Sequence, residues 1–188
     1  TDGAETGNQH QAGWAGTWPA DMAYDEGRGW MCQVNVGGDN GIYCWDPATG
    51  DVADSMTGAP WSGISQRGLA YNPNDDTFYT GGWNEGVIYH VAGFSHPTPG
   101  ETLSQCNPSD PGIAGLAYNP SAELLWMTNN AATDAIYLLD PSDCSTLETL
   151  AFPDGQGFAG AGLHMDTAGE LWMTNQNNNS AYLVESGV

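Results

Sequence analysis

One repetition decides what this chain can fold into. The segments Met22-Ala23-Tyr24-Asp25, Leu69-Ala70-Tyr71-Asn72, Leu116-Ala117-Tyr118-Asn119 and Leu163-His164-Met165-Asp166 begin 47 residues apart, and four such steps account for all 188 residues. Self-similarity at a period of 20–50 residues marks an architecture of stacked copies. Eight to ten residues after each start stands an aromatic, Trp30, Phe78, Trp126 or Trp172, and each repeat later places a tyrosine in an apolar run, Tyr43, Tyr89, Tyr137 and Tyr182. Asp46, Asp140 and Glu185 close three of those runs, while the second repeat has Ala92 there.

Within a repeat the apolar runs last four to seven residues and are separated by Asn-Pro, Asp-Pro, Gly-Gly and Pro-Gly turns, which is too short for helices and right for strands. In the third repeat they fall at 116–119, 125–129, 135–140 and 146–152. Eight Trp, eight Tyr and 26 Gly suit short strands and tight turns. A lone four-stranded sheet with two apolar faces cannot stand exposed, and radial stacking about an axis hides both. The expected fold is therefore all-β, a single-domain β-propeller over residues 1–188 with four four-stranded blades of 47 residues, at roughly 13–56, 57–106, 107–152 and 153–188. The last repeat stops after its third strand, so residues 5–12 are expected to supply the fourth and fasten the ring, removing an exposed edge. Two chains sharing an eight-bladed ring is the rival arrangement.

The charge restricts partners. There are 23 Asp and Glu, no Lys, and only Arg28 and Arg67 as fixed cations, for a formal net charge of −21. Such a surface repels phosphate backbones and anionic lipid, which excludes nucleic acid as a partner class. No apolar stretch approaches the roughly 20 residues needed to span a bilayer, so no membrane insertion is expected. The chain opens at Thr1 and reads as a mature or excised domain.

Four cysteines without CxxC spacing point to disulfides and a secreted, extracellular protein. Cys32 and Cys44 flank the turn Asn35 to Gly41, and a hairpin symmetric about Gly38 sets them directly opposite, within bridging distance. Cys106 and Cys144 pair by elimination.

The run Gly162-Leu163-His164-Met165-Asp166-Thr167-Ala168-Gly169-Glu170-Leu171-Trp172-Met173-Thr174-Asn175 resembles repeats of the NHL and virginiamycin B lyase type of β-propeller. Gly115 to Pro120, with Leu125 to Asn129 and Ile136 to Pro141, follows the same pattern. The resemblance implies blades around an axis. Its members usually have six or seven blades, so four is a departure, and closure with four is known from hemopexin-like domains. It also implies a metal-dependent lyase or hydrolase with a catalytic histidine as an alternative function. Blade patterns specify fold far better than activity.

In a propeller the turns between second and third strands, and the connections between blades, share one face, where rigidly carried loops serve recognition. That face collects Trp14, Trp18, Trp61, Arg67, Trp83, Asn84, Asn130, Asn177 and Phe158 as candidate ligand-binding residues. Indoles stack on the apolar faces of sugar rings, and amides and carboxylates hydrogen-bond hydroxyls. The same residues also suit tight turns and propeller cores. Asp39, Glu85 and Asp134 occupy comparable turns and form the candidate site for Ca²⁺, the one cofactor weighed, because hard cations take six to eight oxygens. The four histidines are scattered, no HExxH or GxSxG motif occurs, and His164 stands where the three other first strands have Ala. The expected function is that of a secreted, non-catalytic recognition or adhesion module for a glycan or protein surface ligand. The alternatives are a structural subunit of an extracellular fibre or homo-oligomer, and the lyase-like enzyme.

Overall fold

The computed structural model describes residues 7–15, 18–130, 135–151 and 160–188. Among the described residues, fifteen strands form four antiparallel meanders. Blade one holds β1 (Trp18–Asp25), β2 (Trp30–Val36), β3 (Ile42–Trp45) and β4 (Val52–Met56). Blade two holds β5 (Gly68–Asn72), β6 (Thr77–Gly81), β7 (Ile88–Ala92) and β8 (Thr102–Cys106). Blade three holds β9 (Ile113–Asn119), β10 (Leu124–Asn129), β11 (Ala135–Leu139) and β12 (Thr146–Ala151). Blade four has three described strands, β13 (Gly160–Met165), β14 (Glu170–Asn175) and β15 (Ser180–Glu185). The first strand of each blade meets its counterparts around an axis, so the chain is a four-bladed all-β propeller. The only helical element among the described residues is a 3₁₀ turn, Trp61–Gly63.

The strands bury alternate residues on alternate faces, as a sheet covered on both sides requires. Blades one and two meet over Cys32, Val34, Ile42, Leu69, Phe78 and Tyr89, with Trp61 inserted. Blades two and three meet over Ile88, Leu116, Leu125, Met127 and Leu139. Blades three and four meet over Trp126, Ile136, Leu163, Leu171 and Met173, with Trp126 fully buried. Each large aliphatic or aromatic side chain so covered contributes on the order of 2 kcal/mol.

The joint between blades four and one differs. The blade-four face opposite Leu171 and Met173 leaves Trp172 45% and Leu183 48% exposed, and across the joint Met22 is 42% and Tyr24 43% exposed. Of the segment 5–12 expected to fasten the ring, residues 5 and 6 lie outside the described residues, and residues 7–12 take no strand conformation and lie on blade one. His10 Nε2 is 3.0 Å from the Pro47 carbonyl, Asn35 Nδ2 donates to the Trp14 carbonyl at 3.3 Å, and the Trp14 ring packs on Trp45 at 5.0 Å. The physical reason lies in the segment Gly7-Asn8-Gln9-His10-Gln11-Ala12, which has no alternating apolar residues to lay on β15, whereas Trp14 has an aromatic partner on blade one.

Both disulfides form as expected. Cys32 and Cys44 are register partners in the β2–β3 hairpin, and Cys106 on β8 is bonded to Cys144 in the β11–β12 turn, joining blades two and three. They are consistent with an extracellular protein. No helix among the described residues is long and apolar enough to cross a membrane.

Candidate functional site

Four first strands running side by side bring the same backbone position of every blade to the axis. Asp21 occupies that position in blade one, and Gly68, Gly115 and Gly162 occupy it in the others. The Asp21 carboxylate accepts N–H bonds from Met22 (3.1 Å), Leu69 (3.1 Å), Leu116 (2.9 Å) and Leu163 (3.3 Å), the four residues that open the repeats. One side chain is therefore bonded to all four blades. Glycine elsewhere makes this geometry feasible: a Cβ on Gly115 would lie 2.7 Å from Leu163 N, and one on Gly162 would lie 3.0 Å from Asp21 Oδ1. Burial pushes the Asp21 carboxyl up to about 8, with the backbone N–H bonds pulling the other way.

Asp21 divides the axis into two mouths. On the loop face a bowl of about 490 Å³ is lined by Trp18, Ala20, Arg67, Ala114, Ala161 and Gln176, among others. Arg67 stands where the other three blades have Ala20, Ala114 and Ala161. Its guanidinium lies 5.1 Å over the Trp83 ring, a cation–π contact. Trp18 is 63% and Trp83 47% exposed.

Of the residues expected at a ligand site, the structure gathers Trp18 and Arg67 in this bowl, with Trp83 beside Arg67. Asn84 and Asn177 are exposed on the same face, and the Asn177 N–H is turned back onto Asn175 Oδ1 at 2.9 Å. Asn130 is half-buried, its N–H donating to the Gly112 carbonyl at 2.7 Å. Trp14 is half-buried against Trp45, away from the bowl lining. Trp61 is fully buried, its Nε1 donating to the Gly100 carbonyl at 2.8 Å, and it acts as core between blades one and two. Phe158 and Asp134 lie outside the described residues.

The turn acids have a local task. Asp39 Oδ2 accepts from the Tyr43 hydroxyl at 2.5 Å, Asn178 Nδ2 donates to the Tyr182 hydroxyl at 2.6 Å, and Glu85 lies against the Tyr89 hydroxyl. In each case the turn residue is four positions before the repeated tyrosine. In blade three, Tyr137 reaches Asp110 Oδ2 instead, at 3.0 Å. Asp39 pushes the Tyr43 hydroxyl up to about 12, and burial and Glu85 do the same to Tyr89. No cluster of three or more His, Cys, Asp or Glu suited to a metal occurs among the described residues.

The opposite mouth is a funnel of about 290 Å³ lined by Tyr24, Glu26, Tyr71, Tyr118, His164 and Asp166 among others. Desolvation holds the His164 imidazole below the ordinary histidine range, against the pull of Asp166. Beside it, Arg28 Nη1 and Nη2 grip Asp76 at 2.7 and 2.9 Å, and Nη1 also reaches Asp25 at 2.7 Å.

Asp21 was not among the candidate residues drawn from sequence. Its signal was present in the 47-residue alignment, where one carboxylate interrupts three glycines, just as Arg67 interrupts three alanines.

Neither a protein-family model nor a curated protein sequence matches the chain. Its fold is similar to that of Kuenenia stuttgartiensis hydrazine synthase, with a TM-score of 0.58 and 11% identity over 97% of this chain and 53% of that one. It is also similar to U3-55K, with a TM-score of 0.55 and 15% identity over 88% of this chain and 51% of that one. The chain spans about half the length of these solved structures, and at such identity the likeness shows the fold alone.

Proposed function

We propose that the chain is a secreted, non-catalytic recognition module that binds a glycan in the axial bowl of its loop face. The observation that carries this reading is the pairing of a concavity of about 490 Å³ with two largely exposed indoles, Trp18 and Trp83. Large aromatic surface left in water beside a concavity marks an interaction site. Indole rings stack on sugar faces, and Gln176 and Asn84 add amide donors and acceptors on the same side. The two disulfides support an oxidising, extracellular setting. The likeness of the blades to the NHL and virginiamycin B lyase type bears on the scaffold rather than on this ligand.

The test is a glycan array followed by calorimetry of the best hit with Trp18→Ala and Trp83→Ala. Each variant is expected to weaken binding about fivefold or more, taking ring stacking on an indole at the roughly 1–3 kcal/mol found for nucleic-acid bases on aromatic side chains. Unchanged affinity in both variants would remove the bowl as the site.

A further inference from the structure

Resting on the glycan reading of the bowl, we propose that the ligand is an acidic glycan whose uronate carboxylate is received by Arg67.

The chain holds two arginines among 23 Asp and Glu. Arg28 spends both its nitrogens on Asp25 and Asp76. Arg67, in contrast, has no carboxylate partner among the described residues, although so acidic a chain offers many. Its described contacts are through the backbone, N–H to the Gly81 carbonyl and carbonyl to the Asp21 N–H, and through the ring of Trp83. The side chain is half-buried and lines the bowl, at a position where the other three repeats place alanine. A guanidinium is a planar fork whose geometry matches a carboxylate, and charge-assisted bonds of this kind are about twice as strong as neutral ones. Trp83 holds the guanidinium from one face and leaves its N–H edge for a ligand, while Trp18, which also lines the bowl from the neighbouring blade, offers a surface for the sugar ring.

The charge of the whole molecule gives this contact an unusual signature. At −21 the protein repels an anionic glycan at long range, whereas the Arg67 contact is short and half-buried. Added salt screens the first strongly, with a Debye length of about 10 Å at 0.1 M, and the second weakly. Affinity for an acidic ligand should therefore rise from low to moderate salt, the reverse of binding driven by a basic surface.

The experiment compares trigalacturonate with its carboxyl-reduced, neutral counterpart by calorimetry at 10 and 150 mM NaCl. The intact protein is expected to bind the acidic form about tenfold or more tightly at 150 mM, and more tightly there than at 10 mM. Arg67→Gln should erase the preference for the acidic form. If the intact protein binds both forms equally, or only the neutral one, the acidic-ligand inference is overturned and the glycan reading stands. If neither form binds and the array is blank, both fall. Because the comparison of ligands is made on the unmodified protein, a misfolded variant does not blur the outcome.

Discussion

Asp21 Oδ2 accepts the backbone N–H of Leu116 at 2.9 Å across a separation of 95 residues, and the same atom also accepts from Leu69. A contact so remote in sequence exists only if the ring has formed. Asp21→Gly makes all four axial positions alike but leaves the N–H groups of Met22, Leu69, Leu116 and Leu163 without this acceptor. The expected loss is about 3–5 kcal/mol in urea denaturation. Sodium formate, whose carboxylate can enter the vacated space, should recover part of the loss, and sodium chloride at equal ionic strength should recover less.

The pH profile follows from two carboxyls with opposite shifts. Asp21 is raised from 3.8 to about 8, so the folded state holds an extra proton between these values, and stability declines as pH rises through that window. Asp76 is held well below the ordinary range by Arg28 and Ser95, although partial burial works against them, so its contribution is present above about 4 and is lost on acidification. The lowered His90 and His164 favour folding as pH rises toward 6.5, where their contribution is complete. Subtracting the Asp21→Gly profile from that of the intact protein, measured by chemical melts from pH 4 to 9, should leave only the Asp21 slope. A flat difference would refute the raised carboxyl.

Arg28→Ala removes the cation between Asp25, whose side chain is 0% exposed, and Asp76, at 15%. Since Asp25 belongs to blade one and Asp76 to blade two, two carboxylates are left facing each other across that joint. A loss of about 2–4 kcal/mol is expected, reduced in 1 M NaCl by screening.

The two disulfides should not contribute equally. Cys32–Cys44 closes a separation of 12 residues already paired in a hairpin, while Cys106–Cys144 closes one of 38 and joins two blades. Loop-closure entropy gives about 3 and about 4 kcal/mol respectively. Replacing each pair by alanine and comparing urea midpoints should show the larger loss for Cys106 and Cys144.

Because Asp39 and Glu85 each serve a tyrosine of their own hairpin, Asp39→Ala is expected to cost about 1 kcal/mol through the Tyr43 bond. Melting in millimolar calcium should match melting in sodium at equal ionic strength. A calcium-specific rise that disappears in Asp39→Ala would identify these acids as ligands.

The repeat made the blades legible because strand alternation and turn residues are local and recur four times, and it made Cys32–Cys44 legible because a hairpin fixes register by counting. Trp61 was harder: a tryptophan in a connection reads as exposed until the core gap it fills is known. Residues 5–12 were harder to read for a similar reason, since a missing strand suggests a donor but only composition decides whether a segment can pair. Asp21 and Arg67 stand out as exceptions to the period, which are informative only once the period is known to converge on an axis.

The uneven joint between blades four and one gives the ring the character of a split washer. Amides of β13 to β15 should exchange with solvent before those of β5 to β12, because Trp172, Leu183, Met22 and Tyr24 leave little dry surface to hold the cut edges shut. The loop-face bowl straddles that cut, with Trp18 and Ala20 on one lip and Ala161 and Gln176 on the other. A molecule seated there would draw the lips together, so that occupancy and circular integrity become one equilibrium.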